Sequence, residues 1–169
     1  MRIVLDTAIL VRAHDGTKGL ARDLLLRIIE SDHVLLISDE MLYELAKVLR
    51  YPRMLALHGL SEGRIFDYVG FLREAAEKVR PNPLLVTPIR DVNDTVVMQT
   101  AIIGEADVIC TRHQDFFEPP AEPFLRRAGV EVFSRESGHP PTFPYLFVPG
   151  GNPNRVANWD WLRPIRCRN

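Results

Sequence analysis

Residues 90–111 read RDVNDTVVMQTAIIGEADVICT. Two acids, Asp91 and Asp94, flank Asn93 at the head of an apolar run. Asn93 is placed to cap a helix reaching about Glu105, and the acids sit where the helix dipole favours negative charge. DVICT (107–111) follows as a continuous apolar strand. Helix passing into buried strand is the signature of a parallel sheet covered by helices, and the rest of the chain repeats it.

Working outward, RIVLD (2–6) and HVLLIS (33–38) read as buried strands, LLVT (84–87) as a third and VEVFS (130–134) as the last. After Thr17, Leu20, Leu24, Leu25, Ile28 and Ile29 recur at helical spacing. Ser38 is placed to cap DEMLYELAKVLR, whose stripe is Met41, Leu45, Val48 and Leu49, with Pro52 ending or bending it. Ser61 and Glu62 open a long helix, SEGRIFDYVGFLREAAEKV, stopped by PNP. AEPFLRRAG reads as a short helix. The expectation is a three-layer α/β/α domain over 1–134 with a central, mostly parallel sheet and right-handed crossovers. Residues 135–169, rich in Pro, Gly, Asn and aromatics without a period, read as an irregular C-terminal arm packing on its own domain or on a dimer mate, in preference to a base-stacking strip.

The bulk properties narrow the function. With 169 residues, 46 % hydrophobic and net charge −1, the chain can bury a core without staples and carries no global basic field. Nucleic-acid contacts must then be local. Cys110 and Cys167 have no metal-ligand spacing, which suits a reducing cytoplasm. MRIVLDTAIL reads as neither signal peptide nor membrane span. His14, His33, His58 and His139 lack ligand spacing and read as surface residues.

Sites in open parallel sheets form at the carboxyl ends of strands. Asp6 ends the first strand, Asp94 follows the third and Asp115 the fourth. Glu44 lies on the helix after the second, beside its buried stripe. Taken singly, each acid has a structural reading: Asp6 a turn cap, Glu44 a solvated helix residue, Asp91 and Asp94 helix-start residues, Asp115 an Asx turn. Taken together, convergent carboxylates stay ionised only around a cation, and a hard dication, Mg²⁺ or Mn²⁺, is the natural occupant. Such an ion serves phosphodiester hydrolysis by water.

In IVLDTAILV, in the segment from GLARDLLL to YPRM, and in DVNDTVVMQTAIIGEADVICTRHQDFF, the chain resembles the PIN-domain ribonucleases, especially the toxins of toxin–antitoxin pairs (VapC-like). The resemblance covers about 1–134. It implies a Mg²⁺- or Mn²⁺-dependent endoribonuclease, a homodimer and an antitoxin partner; that no membrane is involved is expected from the N-terminal sequence. The resemblance assigns Asp6, Glu44 and Asp94 as catalytic metal-binding acids. Thr7 orders the first of them, and Asp91 is an outer-shell or turn residue. Asn93 and Thr111 are candidate supports. The chain departs at Ala8, at Val92 and at His113, which stands where the family carries an acid. The fourth acid is lost, replaced by imidazole, or supplied by Asp115. Arg50 lies near the same edge, and Arg12, Arg53 and Arg112 are the phosphate-binding candidates. The rival reading is a catalytically weakened PIN-fold protein that binds RNA or a protein partner without cleaving.

Overall fold

The computed structural model describes residues 1–134, so the C-terminal arm expected at 135–169 lies outside the described residues, as do Cys167 and His139. Five strands form one sheet in the order β3-β2-β1-β4-β5, and every pairing is parallel. They are β1 (Arg2–Leu5), β2 (Val34–Ile37), β3 (Glu77–Lys78), β4 (Val108–Cys110) and β5 (Glu131–Phe133). The helices are α1 (Thr7–Leu10), α2 (Leu20–Ile29), α3 (Asp39–Leu49), α4 (Pro52–His58), α5 (Glu62–Ala75), α6 (Val92–Ile103) and α7 (Ala121–Arg127), with a 3-10 turn at Gln114–Phe117. This is the α/β/α sandwich expected from the helix–strand alternation.

The central strands are apolar on both faces because helices cover both. Val4, Leu5, Leu36, Ile37 and Ile109 have no accessible surface. α6 packs against β1 and β2, α2 against β2, and α7 against β5. Ser38 caps α3, its hydroxyl accepting from the Met41 N–H at 3.2 Å. Gly104, at the end of α6, is a place where only glycine fits: a Cβ there would lie 2.8 Å from the Thr100 carbonyl oxygen. Strand order reverses between β1 and β4, the switch point at which parallel sheets open a crevice.

Several expectations need correction. LLVT is not a strand. Leu84 and Val86 are exposed, in a loop where Pro81, Pro83 and Pro88 remove backbone donors. The third strand is instead Glu77–Lys78, on the sheet edge beside Leu36 and Ile37. The long helix therefore stops at Ala75 rather than at PNP. Asn93 is not the cap of α6: Asp91 is, its carboxylate accepting from the N–H groups of Asn93 and Asp94. The run at 39–50 stops at Leu49, ahead of Pro52 as expected, with Tyr51 pushed to an extended conformation; Pro52 also opens α4, where its missing N–H costs nothing. His14 is not a surface residue but is 2 % exposed, packed edge-on to His58 and Tyr68.

Candidate metal centre

The crevice between β1 and β4 is built from the ends of those two strands. Asp6 follows β1, and its N–H donates to the Cys110 carbonyl at 2.9 Å. It occupies the N-cap position of α1, yet its side chain caps nothing. Its carboxylate instead accepts from the Thr111 hydroxyl at 2.6 Å. Thr111 is fully buried, and its oxygen also accepts from the His113 N–H at 2.9 Å. One hydroxyl thus ties the acid after β1 to the loop after β4.

Asp94 enters from the first turn of α6. The Asp91 cap fixes that turn, with 2.8 Å from the Asn93 N–H and 3.3 Å from the Asp94 N–H. Asp94 is 7 % exposed. His113 Nδ1 lies 2.7 Å from Asp94 Oδ2, but the two are not aligned as a hydrogen bond. Oδ2 is the one buried side-chain polar atom without a hydrogen-bond partner among the described residues. Burial pushes the Asp94 carboxyl up to about 6; a charged His113 pulls it down, while Asp6, Asp91 and Asp115 push it further up. A buried carboxylate among other acids either takes up a proton or is offset by positive charge, which His113 or a bound cation can supply. Donor atoms of Asp94, His113 and Asp115 lie within 4.8 Å of one another, so the donor set fits a divalent ion.

The other expected residues fall around this point. Asp6 is near enough to raise Asp94 but is not within the 4.8 Å group, and neither is Glu44. Glu44 is half-buried, lies 3.5 Å from Lys47 Nζ, and lines a cleft of about 410 Å³ with Thr7, Tyr43, Asn93 and Val96. Arg12 and Arg53 are exposed. Arg112 is exposed and engaged in an interaction. Arg50 is committed to Glu62 at 2.8 Å and to the Ala46 carbonyl at 2.9 Å. The Thr111 bridge was legible only as a strand end, because nothing in the sequence reveals which acid a strand-end hydroxyl will meet.

A parallel sheet with buried carboxylates at its switch point defines a class, an α/β domain with a candidate metal centre. Residues 2–115 match the PIN domain family, and the chain belongs to it. The fold is similar to a solved structure of VapBC2 from Rickettsia felis, bound to a DNA fragment from their promoter. That match has a TM-score of 0.54 and 15 % identity, covering 79 % of this chain and 98 % of that one. No curated protein matches the sequence. Among the described residues, no helix is long and apolar enough to cross a membrane.

Proposed function

We propose that this PIN-domain protein is a metal-dependent endoribonuclease and the toxin of a toxin–antitoxin pair. The observation that carries the reading is Asp94 Oδ2, a buried oxygen with no hydrogen-bond partner, facing the donors of His113 and Asp115 with Asp6 close by. Asp6, Glu44, Asp94 and Asp115 are the residues to hold Mg²⁺ or Mn²⁺. When bound, such an ion offsets the charge that develops on phosphoryl oxygens and helps ionise water.

The chain's own residues do the rest. Thr111 holds the Asp6 carboxylate in place through its 2.6 Å hydrogen bond. Asp91 fixes the first turn of α6 and so the direction of Asp94. Glu44 supplies a further carboxylate from the wall of the adjoining cleft, where it can orient an attacking water or a ribose hydroxyl. Arg12 and Arg53 are exposed cations for flanking phosphates, with Arg112 a third. Tyr43, 74 % exposed in the cleft wall, offers a face on which an unpaired base can stack. These features suit single-stranded RNA, whose bases are free to leave the helix.

The antitoxin partner is proposed from the likeness to VapBC2, and the exposed apolar side chains support a protein-binding surface. Tyr43, Tyr51, Leu57 and Phe66 project from α3, the α3–α4 junction, α4 and α5. A homodimer using part of this surface belongs to the same reading. The cytoplasm, where RNA and antitoxin would be met, is its proposed location. The second reading, a PIN-fold protein that binds without cleaving, rests on His113 standing in an acid's place.

The test is cleavage of a labelled single-stranded RNA by the purified chain with Mn²⁺ or Mg²⁺. Cleavage should stop with chelator and in the Asp6→Asn and Asp94→Asn variants. Binding of RNA with no cleavage in either ion would favour the second reading.

A further inference from the structure

The donors nearest one another are not three carboxylates. They are one imidazole and two carboxylates, from Asp94, His113 and Asp115. Three features hold the imidazole there. Thr111 accepts from the His113 N–H at 2.9 Å while donating to Asp6, which pins the loop at the end of β4. Phe116, with no accessible surface, anchors the 3-10 turn that carries Asp115. Asp91 accepts from the Asp94 N–H at 3.3 Å and so fixes the turn that carries the facing carboxylate.

The contact between His113 and Asp94 is informative. Nδ1 and Oδ2 are 2.7 Å apart, yet the oxygen has no hydrogen-bond partner. Two donors close together but misaligned for a hydrogen bond are in the relation of neighbouring ligands on one ion. Ligands about 2.1 Å from a metal at right angles lie about 3 Å from each other. His113 and Asp115 are exposed, so this side of the site is open to water and substrate.

We propose that Asp94, His113 and Asp115 form a mixed nitrogen–oxygen site for a first-row transition dication such as Mn²⁺, with His113 the residue that sets the choice against Mg²⁺. Mg²⁺ takes oxygen ligands and sheds water reluctantly, whereas transition ions accept imidazole readily. The proposal rests on the nuclease reading in sharing Asp94, and it adds the identity of the ion and of the residue that selects it.

The test uses the full chain stripped of metal, with Mn²⁺ and Mg²⁺ as probes. Calorimetric titration gives both affinities, and pulsed electron paramagnetic resonance of the Mn²⁺ form detects a coordinated nitrogen through its ¹⁴N coupling. The parent should show that coupling and bind Mn²⁺ on the order of tenfold or more tighter than Mg²⁺. His113→Asp should lose the coupling, keep Mn²⁺ binding and gain affinity for Mg²⁺, so that the ratio narrows. Mn²⁺ bound without ¹⁴N coupling, or the same ratio in both proteins, would overturn the proposal. The nuclease reading would survive that result if Asp94→Asn still removed Mn²⁺ binding. No binding of either ion to parent or variant would sink both.

Discussion

The protein buries polar side chains in two places, and they are opposites. Around His14, polar atoms find fixed partners. His14 Nδ1 accepts from the Gly16 N–H at 3.0 Å, and the Tyr68 hydroxyl donates to the Leu10 carbonyl at 2.7 Å. His58 Nδ1 accepts from the Leu60 N–H at 2.9 Å, leaving its Nε2–H to donate to the Leu49 carbonyl at 3.0 Å. Around Asp94, acids crowd together and a buried oxygen is left without a hydrogen bond. A satisfied polar cluster fixes a fold; an unsatisfied one holds a place for something else. The first joins the α1–α2 loop to the α4–α5 junction, and the second sits at the switch point of the sheet.

The sharpest way to break this contrast is to truncate one member of each cluster. His14→Ala should cost about 2–4 kcal/mol, through the cavity and the stranded Gly16 N–H. Urea unfolding should give that loss with or without divalent ion. Asp94→Asn should do the reverse in metal-free protein at pH 8, stabilising it by about 1–3 kcal/mol. The sign follows from the raised carboxyl. Its contribution to stability is complete below the unfolded value near 3.8 and is lost as pH rises through about 6. The gain from asparagine should therefore vanish by pH 4. A destabilised Asp94→Asn at pH 8 would mean that Asp94 is a structural residue like His14.

Asp91→Ala removes the α6 cap and should cost about 1 kcal/mol, while weakening Mn²⁺ binding because the first turn loosens around Asp94. Melts with and without Mn²⁺ separate the two effects. The smallest effect concerns acid. Burial, reinforced by His58, lowers the His14 pKa, so its contribution is present above about 6.5 and is lost as pH falls below that. Asp15 pulls the other way, and Arg64 and Arg22 add to the lowering. In the Asp94→Asn background, His14→Asn should flatten the decline in stability between pH 7 and 5. An unchanged slope would place the titrating group elsewhere.

The two clusters also differ in how far the sequence reveals them. Asp6 and Asp94 were legible because an acid ending an apolar strand or opening an apolar helix has a defined place in a parallel sheet. The sheet itself was legible wherever strands are apolar on both faces, as in β1, β2 and β4. β3 was not, because a two-residue edge strand of Glu77 and Lys78 buries nothing and leaves no apolar mark, whereas LLVT carries that mark without a partner strand. His14 was hidden for a related reason: its burial depends on His58 and Tyr68, more than 40 positions away, and on backbone groups that no side-chain pattern encodes. Asp91 and Asn93 both suit a helix start, and only the backbone path through residues 91–94 decides between them.

The central claim is that the cluster at Asp94 is unfinished without a divalent cation. The direct measurement is the melting temperature of the metal-free chain as Mn²⁺ is added, for the parent and for Asp94→Asn. The parent should start below the variant at pH 8 and rise with Mn²⁺ in a saturable way, while the variant should not respond. A parent that does not respond to Mn²⁺, or a variant that responds equally, would contradict the claim.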